Sequence, residues 1–318
     1  MPRLACFIEP GRSLEEGGKR AALAESLGYE SVWVTHTVSR EPLQVLASYA
    51  GKTERIGLGT GVVPAPIRHP IATAMEAATL DEASGGRLRL GIGISHRSLI
   101  EGWYGLTFDK PLGRMREYAT IVRTLIDEGT VHFEGEHYTA RFSFLGYQPR
   151  KGMDLFFAAL APGMLRLAAE LANGIVLWMC SPEYIRTTIR PTIDEALAKH
   201  GRDPSTFDII AAVPSGLTEN AAAARDAFRR VAQPYPQLPF YRRVIEAGGH
   251  ADALATADAG EPLPDSFVDA MAGTGDADAI RAKIEEYRDA GVTLPAVSPL
   301  PRHDGAAGVE ETLKAAIA

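Results

Sequence analysis

The sequence has few cysteines, no excess of positive charge and no long apolar run. Its 318 residues include two cysteines, Cys6 and Cys180, which lack the C-x-x-C spacing of a redox or metal motif. The formal net charge is −7, so no general basic field favours nucleic acid. No segment approaches the length of an uncharged membrane span, and the apolar run before Glu9 is too short for a signal peptide. We therefore expect a cytoplasmic protein that binds neither nucleic acid nor membrane.

Motifs for metal binding and for nucleophilic catalysis are also missing. The eight histidines show no H-x-x-x-H or H-E-x-x-H spacing, which would place two metal ligands on one helical face. No G-x-S-x-G motif marks a hydrolase nucleophile. The stretch SGGRLRLGIGISH, residues 84–96, begins like a dinucleotide fingerprint, but His96 stands where the third glycine would be. We therefore predict no metal ion, and an organic cofactor other than NAD.

The sequence does contain a regular alternation of short apolar runs and longer helical patterns. Eight runs are typical of strands: 4–8, 31–35, 55–63, 87–92, 154–158, 175–179, 207–213 and 292–297. The helical patterns between them include 14–27, 43–50, 70–83, 182–199 and 277–290. Eight such units without a break in composition predict a single-domain (β/α)8 TIM barrel over residues 1–318. An open doubly wound sheet is the alternative.

Two segments depart from this alternation. The segment VHFEGEHYTA, residues 131–140, has a Glu-Gly turn between β-like arms and predicts a small hairpin. Residues 233–269 contain too many prolines for one regular helix. We interpret them as an insertion before the last unit that covers part of the barrel mouth, where long insertions usually lie.

Because the active site of a (β/α)8 barrel lies at the carboxyl ends of its strands, only a few residues remain as candidates. His36 and His96 follow the second and fourth strands; each is either a hydrogen-bonded structural histidine or a proton donor or substrate contact. Gly61 either makes room for a planar ring or is required by a barrel corner. His69, beside a proline that starts a helix, and Arg87, at the start of the fourth strand, are interpreted as structural, with Arg87 as an ion-pair partner.

Two blocks of sequence resemble a known family. Residues 55–96, RIGLGTGVVPAPIRHPIATAMEAATLDEASGGRLRLGIGISH, and residues 158–179, AALAPGMLRLAAELANGIVLWM, closely resemble the luciferase-like monooxygenase superfamily. The order of RHP, ATLDEASGGR and LGIG is similar to that in the branch that uses the deazaflavin coenzyme F420. Weaker similarity extends from the first strand to about residue 300. The resemblance implies the same barrel, and it implies a homodimer.

The resemblance also implies a set of cofactor contacts. The ring of the cofactor would lie against Thr60, Gly61 and Val62, with a cis peptide between Gly61 and Val62. Its ribityl and phosphate chain would pass a second group of residues: Ile94, Ser95, His96, Leu160, Ala161, Pro162, Met164, Cys180 and Ser181. Met164 is expected to open a helix whose amino end suits a phosphate.

This chain departs from the family pattern at three places. Many relatives have Asp-His after the second strand where this chain has Thr35-His36, and some sugar-phosphate-oxidising relatives have a glutamate near the position of His96. Leu160-Ala161 replaces paired glycines. The first two differences indicate a different substrate, and the third predicts a narrower phosphate pocket.

The sequence therefore predicts an oxidoreductase that passes a hydride between coenzyme F420 and a small organic substrate, with His36 and His96 as catalytic residues. An FMN-dependent monooxygenase that consumes oxygen is the alternative. A third hypothesis is a barrel that binds the cofactor without turnover, because the Asp-His pair and the glutamate are absent. Trp33, Trp103 and Trp178 either shape an apolar pocket or pack in the core.

Overall fold

The computed structural model describes residues 2–36 and 40–317. Within them the strands are β1 (Ala5–Phe7), β2 (Ser31–Val34), β3 (Gly57–Thr60), β4 (Val63–Pro64), β5 (Leu88–Gly93), β6 (Thr130–Glu134), β7 (Thr139–Ser143), β8 (Asp154–Ala158), β9 (Gly174–Leu177), β10 (Asp208–Leu217), β11 (Gly273–Gly275) and β12 (Leu294–Pro299). The strands β1, β2, β3, β5, β8, β9, β10 and β12 pair in parallel in that order. Because β12 also pairs with β1, the sheet closes. The predicted (β/α)8 barrel is confirmed, and the open doubly wound sheet is wrong.

Helices lie on the outside of this barrel. They are α1 (Leu14–Ser26), α2 (Pro42–Ala50), α3 (Pro70–Ala83), α4 (Arg97–Tyr104), α5 (Pro111–Glu128), α6 (Pro162–Leu171), α7 (Pro182–Tyr184), α8 (Arg190–Lys199), α9 (Ala221–Ala232), α10 (Pro239–Ala247), α11 (Ala251–Asp258), α12 (Asp265–Met271), α13 (Ala277–Asp289) and α14 (Val309–Ile317). A π-helical turn, Ile185–Ile189, joins α7 to α8. None of these described helices is both long and apolar enough to cross a membrane.

Local signals in the sequence account for several helix starts. Ser13 accepts a hydrogen bond from the backbone N–H of Glu16 and so caps α1. Pro70 occupies the first turn of α3, where a missing N–H has no consequence. The Nδ1 atom of His69 accepts a 3.3 Å hydrogen bond from the backbone N–H of Ile71, so the structural interpretation of His69 is confirmed.

The alternation of side chains along a strand separates the barrel interior from the layer beneath the helices. In β2, Val32 and Val34 pack under the helices, whereas Trp33 points into the barrel. Trp33 is fully buried there, and its indole N–H donates to the Ser31 hydroxyl at 2.9 Å. A Cβ added to Gly59 would lie 2.3 Å from the Trp33 ring, so the neighbouring strand needs glycine at that point. Trp33 is therefore a core residue.

The amino ends of the strands carry structural charges. Arg3 forms ion pairs with Glu30 at 2.6 Å and with Asp208 at 2.7 Å, and Arg89 contacts Glu30 at 2.8 Å. These contacts tie β1, β2, β5 and β10 together at the end opposite the expected active site.

The ion-pair prediction for Arg87 is wrong. Within the described residues its guanidinium donates to backbone carbonyls and to one hydroxyl rather than to a carboxylate. The acceptors include the carbonyl of Ala50 at 3.2 Å and the carbonyl and hydroxyl of Thr53 at 3.1 and 2.8 Å. The physical reason is that α2 ends beside Arg87, and a helix end leaves carbonyls without an intrahelical partner.

The third predicted strand, 55–63, is interrupted. Pairing with β5 stops at Gly59 and resumes at Val63. Between these positions the side chain of Thr60 replaces the backbone: its hydroxyl donates to the carbonyl of Gly91 and accepts from the N–H of Gly91, both at 2.8 Å. The structure therefore has two shorter strands, β3 and β4, where the sequence pattern predicts one.

Three other predictions can be compared with the structure. The predicted hairpin is confirmed as the antiparallel pair β6 and β7. The seventh predicted strand, 207–213, is longer in the structure: β10 continues through Pro214 and Ser215 to Leu217, because β11 and β12 pair with that end of the strand. Residues 233–269 are largely helical and contain α10, α11 and the first part of α12; their interpretation as an insertion stays a prediction.

Candidate active site

The carboxyl ends of the eight parallel strands meet at one end of the barrel, which we call the mouth. The barrel interior below it is filled by one apolar cluster: Ala5, Phe7, Trp33, Phe156, Val176, Ile210, Ala212, Leu294 and Ala296. Val62 and Trp178 pack on this cluster and are only partly buried. They form an apolar floor on which a ligand in the mouth would rest.

Of the three residues predicted to lie against the cofactor ring, Thr60 and Gly61 make contacts that hold the barrel itself together. The Thr60 side chain is fully buried, and its hydroxyl is bonded to Gly91 on both its donor and acceptor sides. A Cβ added to Gly61 would lie 2.6 Å from Cε1 of Phe7. Packing against Phe7 therefore explains this glycine, as the barrel-corner interpretation expects. The Gly61–Val62 peptide is cis, as the resemblance implies.

Ile94, Ser95 and His96 follow β5, and all three are partly exposed. Ser95 has a φ of +59°, in the left-handed region that side chains other than glycine rarely adopt. Such conformations are often found at functional sites. The ring of His96 lies 5.4 Å from the ring of Tyr241, and its Nδ1 atom is buried without a hydrogen-bond partner among the described residues. Burial lowers the pKa of His96, which favours the neutral imidazole.

His36 follows β2 on another side of the mouth. Its Nε2 atom lies 3.4 Å from the hydroxyl of Tyr104, and its Nδ1 atom is buried with no partner in the described part of the chain. Burial and the nearby charge of Arg68 lower the pKa of His36, and Glu41 acts in the opposite direction. His36 therefore resembles His96: it is a half-buried imidazole whose surroundings favour the neutral form.

The turn after β8 differs from its prediction at one residue. Helix α6 begins at Pro162 with Ala161 as its N-cap residue, two residues before Met164. The backbone N–H groups of Met164 and Leu165 both donate to the carbonyl of Ala161 at 3.0 Å. The prediction that Met164 opens the helix is wrong, because proline is well suited to the first helical position. Helix α6 therefore starts directly after the turn that follows β8, with Gly163 beside Leu112 of α5.

Cys180 and Ser181 follow β9 but are buried. The hydroxyl of Ser181 accepts from the backbone N–H of Tyr184 at 3.2 Å and caps α7. The carbonyl of Cys180 accepts from the hydroxyl of Tyr287 at 3.0 Å, and burial raises the pKa of the Cys180 thiol far above its usual range. Both residues hold helices in place, and their role as cofactor contacts stays a prediction.

Two tyrosines that no sequence motif identifies as site residues, Tyr235 and Tyr241, lie beside the mouth. The ring centres of Tyr235 and Tyr241 are 4.7 Å apart in an edge-to-face arrangement, and the ring centres of Tyr235 and Trp178 are 6.3 Å apart. We call Trp178, Tyr235 and Tyr241 the aromatic wall. The two tyrosines come from the proline-rich stretch QPYPQLPFYRR. Its aromatic residues are the sequence feature that could have marked it as part of the site. The position of these rings beside His96 depends on how residues 233–269 fold against the barrel. The sequence pattern within that segment does not predict this packing.

This arrangement suits an organic ligand that exchanges a proton with the protein. The floor is apolar and the aromatic wall is mainly so, and the Nδ1 atoms of both imidazoles have no hydrogen-bond partner within residues 2–36 and 40–317. A neutral imidazole accepts a proton from a reacting group, and its charged form returns it. The described residues contain no group of three or more His, Cys, Asp and Glu side chains placed to bind a metal ion.

A closed (β/α)8 barrel with an apolar floor and two imidazoles at its mouth has the framework that barrel enzymes share, with the candidate residues at the carboxyl ends of the strands. The chain belongs to the luciferase-like monooxygenase family, whose model matches residues 2–294. The predicted resemblance is therefore confirmed, and the protein is an enzyme.

Similar proteins are known from both sequence and structure. A Mycobacterium tuberculosis protein, provisionally named a coenzyme F420-dependent oxidoreductase, is 30% identical over 308 residues, covering 87% of this chain and 88% of that protein. The 5,10-methylenetetrahydromethanopterin reductase of Archaeoglobus fulgidus is 32% identical over 294 residues, with coverage of 87% and 88%. The solved structure of a coenzyme F420-dependent tetrahydromethanopterin reductase from Methanopyrus kandleri has the same fold, with a TM-score of 0.82, 24% identity and coverage of 99% and 97%.

Proposed function

We propose that this enzyme transfers a hydride between coenzyme F420 and a small organic substrate. The observation that carries the proposal is the pair of half-buried imidazoles, His36 and His96, whose Nδ1 atoms lack partners among the described residues. Burial lowers the pKa of both, which favours the neutral imidazole, the form that accepts a proton. The names of the Mycobacterium tuberculosis and Methanopyrus kandleri relatives support F420 as the cofactor.

The residues at the mouth fit such a cofactor. Val62 and Trp178 offer an apolar floor for a flat ring, and Ile94 and Leu160 are partly exposed beside it. The backbone N–H at Gly163, near the start of α6, suits a phosphate because a helix amino end favours negative charge. When bound, coenzyme F420 supplies a two-electron hydride carrier whose ring carbon disfavours oxygen chemistry.

The side chains of the protein would supply positioning and proton exchange. When the substrate is oxidised, a neutral His36 or His96 takes the proton that its reacting hydroxyl releases; in the reverse direction the same imidazole returns it. The aromatic wall orients the substrate and excludes water from the mouth.

Two measurements test this proposal. Titration of the purified protein with F420 and with FMN, followed by fluorescence, should show tight binding of F420. His36→Ala and His96→Ala should each lower kcat by roughly 10²–10⁴-fold. His36→Ala should leave F420 binding nearly unchanged, whereas His96→Ala should also weaken it, because His96 is expected to contact the cofactor chain. His132→Ala, on the exposed hairpin, is the control and should behave as the wild type. Tight binding of FMN without a response to F420 would reject the cofactor assignment, and full activity of both mouth variants would reject the catalytic residues.

An FMN-dependent monooxygenase is the second candidate, because the family model that matches this chain is that of luciferase-like monooxygenases. This function requires oxygen as a co-substrate. Oxygen consumption during turnover would therefore favour it, and turnover without oxygen would favour the F420-dependent reaction.

A further inference from the structure

A second apolar core supports the aromatic wall. Its buried members come from the residue pair after β9 and from the helices α9, α10, α11 and α12. Three partly buried side chains that pack on this core follow strands of the barrel: Leu160 after β8, Trp178 after β9 and Leu300 after β12. Because the carboxyl ends of the strands form the mouth, part of the surface of this core lies at the mouth.

Four rings form a continuous row on this surface. The ring centres of His96 and Tyr241 are 5.4 Å apart, those of Tyr241 and Tyr235 are 4.7 Å apart, and those of Tyr235 and Trp178 are 6.3 Å apart. These separations lie in the range of packed aromatic pairs. Trp178 also packs on the apolar cluster of the barrel interior. An apolar ligand body on this row would therefore lie between the floor and the imidazole of His96.

The cations near the wall already have carboxylate partners. Helices α9 and α10 contain three partly buried arginines, and each forms ion pairs: Arg225 with Asp269, Arg229 with Asp226 and Asp265, and Arg242 with Asp258. Arg97, directly after His96, pairs with Glu101 at 2.6 Å. The other two arginines of α9 and α10, Arg230 and Arg243, are exposed to solvent. Because a phosphate or carboxylate is bound best by a cation with free N–H groups, this side of the mouth is poorly suited to an anionic substrate.

The wall carries one unused donor. Nε1 of Trp178 is buried and has no hydrogen-bond partner within the described residues; the hydroxyl of Tyr235 lies near it without the geometry of a hydrogen bond. An indole N–H can only donate, and a buried N–H without an acceptor is rare in folded proteins. Burial raises the pKa of Tyr241 well above its usual range, so its hydroxyl stays uncharged. The wall therefore offers a neutral hydrogen-bond donor within an aromatic surface.

We propose that the aromatic wall binds an uncharged alcohol or ketone with an aromatic or alicyclic body, whose oxygen accepts a hydrogen bond from the indole N–H of Trp178. Calling this molecule the substrate rests on the proposed function. Its binding to the wall does not, because the wall is held in place by the second apolar core without any cofactor.

The test compares acetophenone with benzoate, which share a phenyl ring and differ in charge. Their dissociation constants are measured by saturation-transfer NMR on the full chain, with and without saturating F420. Acetophenone should bind at least about tenfold more tightly than benzoate, because a carboxylate loses its hydration at the wall without gaining a free cation.

Two variants locate the binding site. Trp178→Phe keeps an aromatic ring but removes the N–H, so the dissociation constant of acetophenone should rise roughly 2–12-fold, as expected for one neutral hydrogen bond. Toluene, which has the ring without the oxygen, should change less. Tyr235→Leu removes the middle ring of the wall and should weaken the binding of both probes. Tyr147→Phe is the control, because the Tyr147 hydroxyl donates to the carbonyl of Ala78 on α3, and it should bind both probes as the wild type does.

Circular dichroism establishes which variants are folded. Benzoate binding as tight as that of acetophenone, or no binding of acetophenone, overturns the proposal. So does an equal change for acetophenone and toluene in folded Trp178→Phe, or a weakening of F420 binding alone. If Trp178→Phe does not fold, unchanged acetophenone affinity in folded Tyr235→Leu overturns it. If F420 does not bind at all, the proposed function fails, and the titrations without F420 still decide what the wall binds.

Discussion

Replacing Gly61 by alanine separates two explanations of this glycine: space for a cofactor ring, or packing against Phe7. An added Cβ would lie 2.6 Å from Cε1 and 3.1 Å from Cζ of Phe7. Phe7 is 9% exposed and belongs to the barrel interior, so its ring cannot move away into solvent. Overpacking of this kind costs roughly 1–3 kcal/mol. We expect Gly61→Ala to lower the free energy of unfolding by that amount in urea, with no cofactor present.

A second substitution shows where the effect originates. Phe7→Leu removes the ring atoms that an alanine at position 61 would contact, although it destabilises the barrel interior by itself through lost packing. The double variant should therefore be more stable than the sum of the two single effects predicts, by at least about 1 kcal/mol. Gly102→Ala on α4 is the control, since an added Cβ there meets no atom within 4 Å. It should stabilise the protein by about 0.5–1 kcal/mol.

The two explanations lead to opposite results. If Gly61→Ala unfolds at the same urea concentration as the wild type and binds F420 more weakly, the packing argument is refuted and the glycine serves the ring. Additive effects of Gly61→Ala and Phe7→Leu would also refute it.

Two further predictions concern the frame of the barrel. Thr60→Val keeps the side-chain shape but leaves both backbone groups of Gly91 without their partner, which should cost about 1–3 kcal/mol of unfolding free energy; Thr79→Val, on the exposed face of α3, should stay within about 0.5 kcal/mol. Burial opposes ionisation of Glu30, but Arg3 and Arg89 outweigh it and lower the pKa of Glu30 to about 2, below its ordinary value of 4.5. The stabilisation that ionised Glu30 gives the folded protein is therefore complete above about pH 5 and is lost as the pH falls towards 2. Between about pH 7 and pH 3, the free energy of unfolding measured in urea should fall more steeply in the wild type than in Glu30→Gln. Parallel curves would contradict this.

Much of the fold could be predicted because its signals are local. Apolar runs of strand length, separated by helical patterns, indicate parallel strands joined by crossover helices, and eight such units indicate a closed barrel. Pro70 and the residue before it mark the start of α3 in the same way. The predictions that fail concern details that depend on which residues lie nearby in the folded protein or on exactly where a helix begins. Arg87 bonds to carbonyls because α2 happens to end beside it, and α6 starts at Pro162 rather than Met164.

The candidate site was predicted in part. The rule that barrel sites lie after the strands selected His36 and His96, and the structure places both at the mouth with similar environments. It did not select Tyr241, whose ring lies 5.4 Å from the ring of His96 although Tyr241 comes from a segment more than a hundred residues away. No local pattern joins residues so far apart in the chain.

The sequence by itself determined that this chain forms a (β/α)8 barrel, and it located most of the strands, because hydrophobic periodicity is a property of neighbouring residues. Only the tertiary structure decided what each of those residues does. The hydroxyl of Thr60 is bonded to Gly91, the space beside Gly61 is filled by Phe7, and the ring of His96 lies beside that of Tyr241. These contacts arise when separate strands and helices are packed together, so they depend on distances that exist only in the folded barrel.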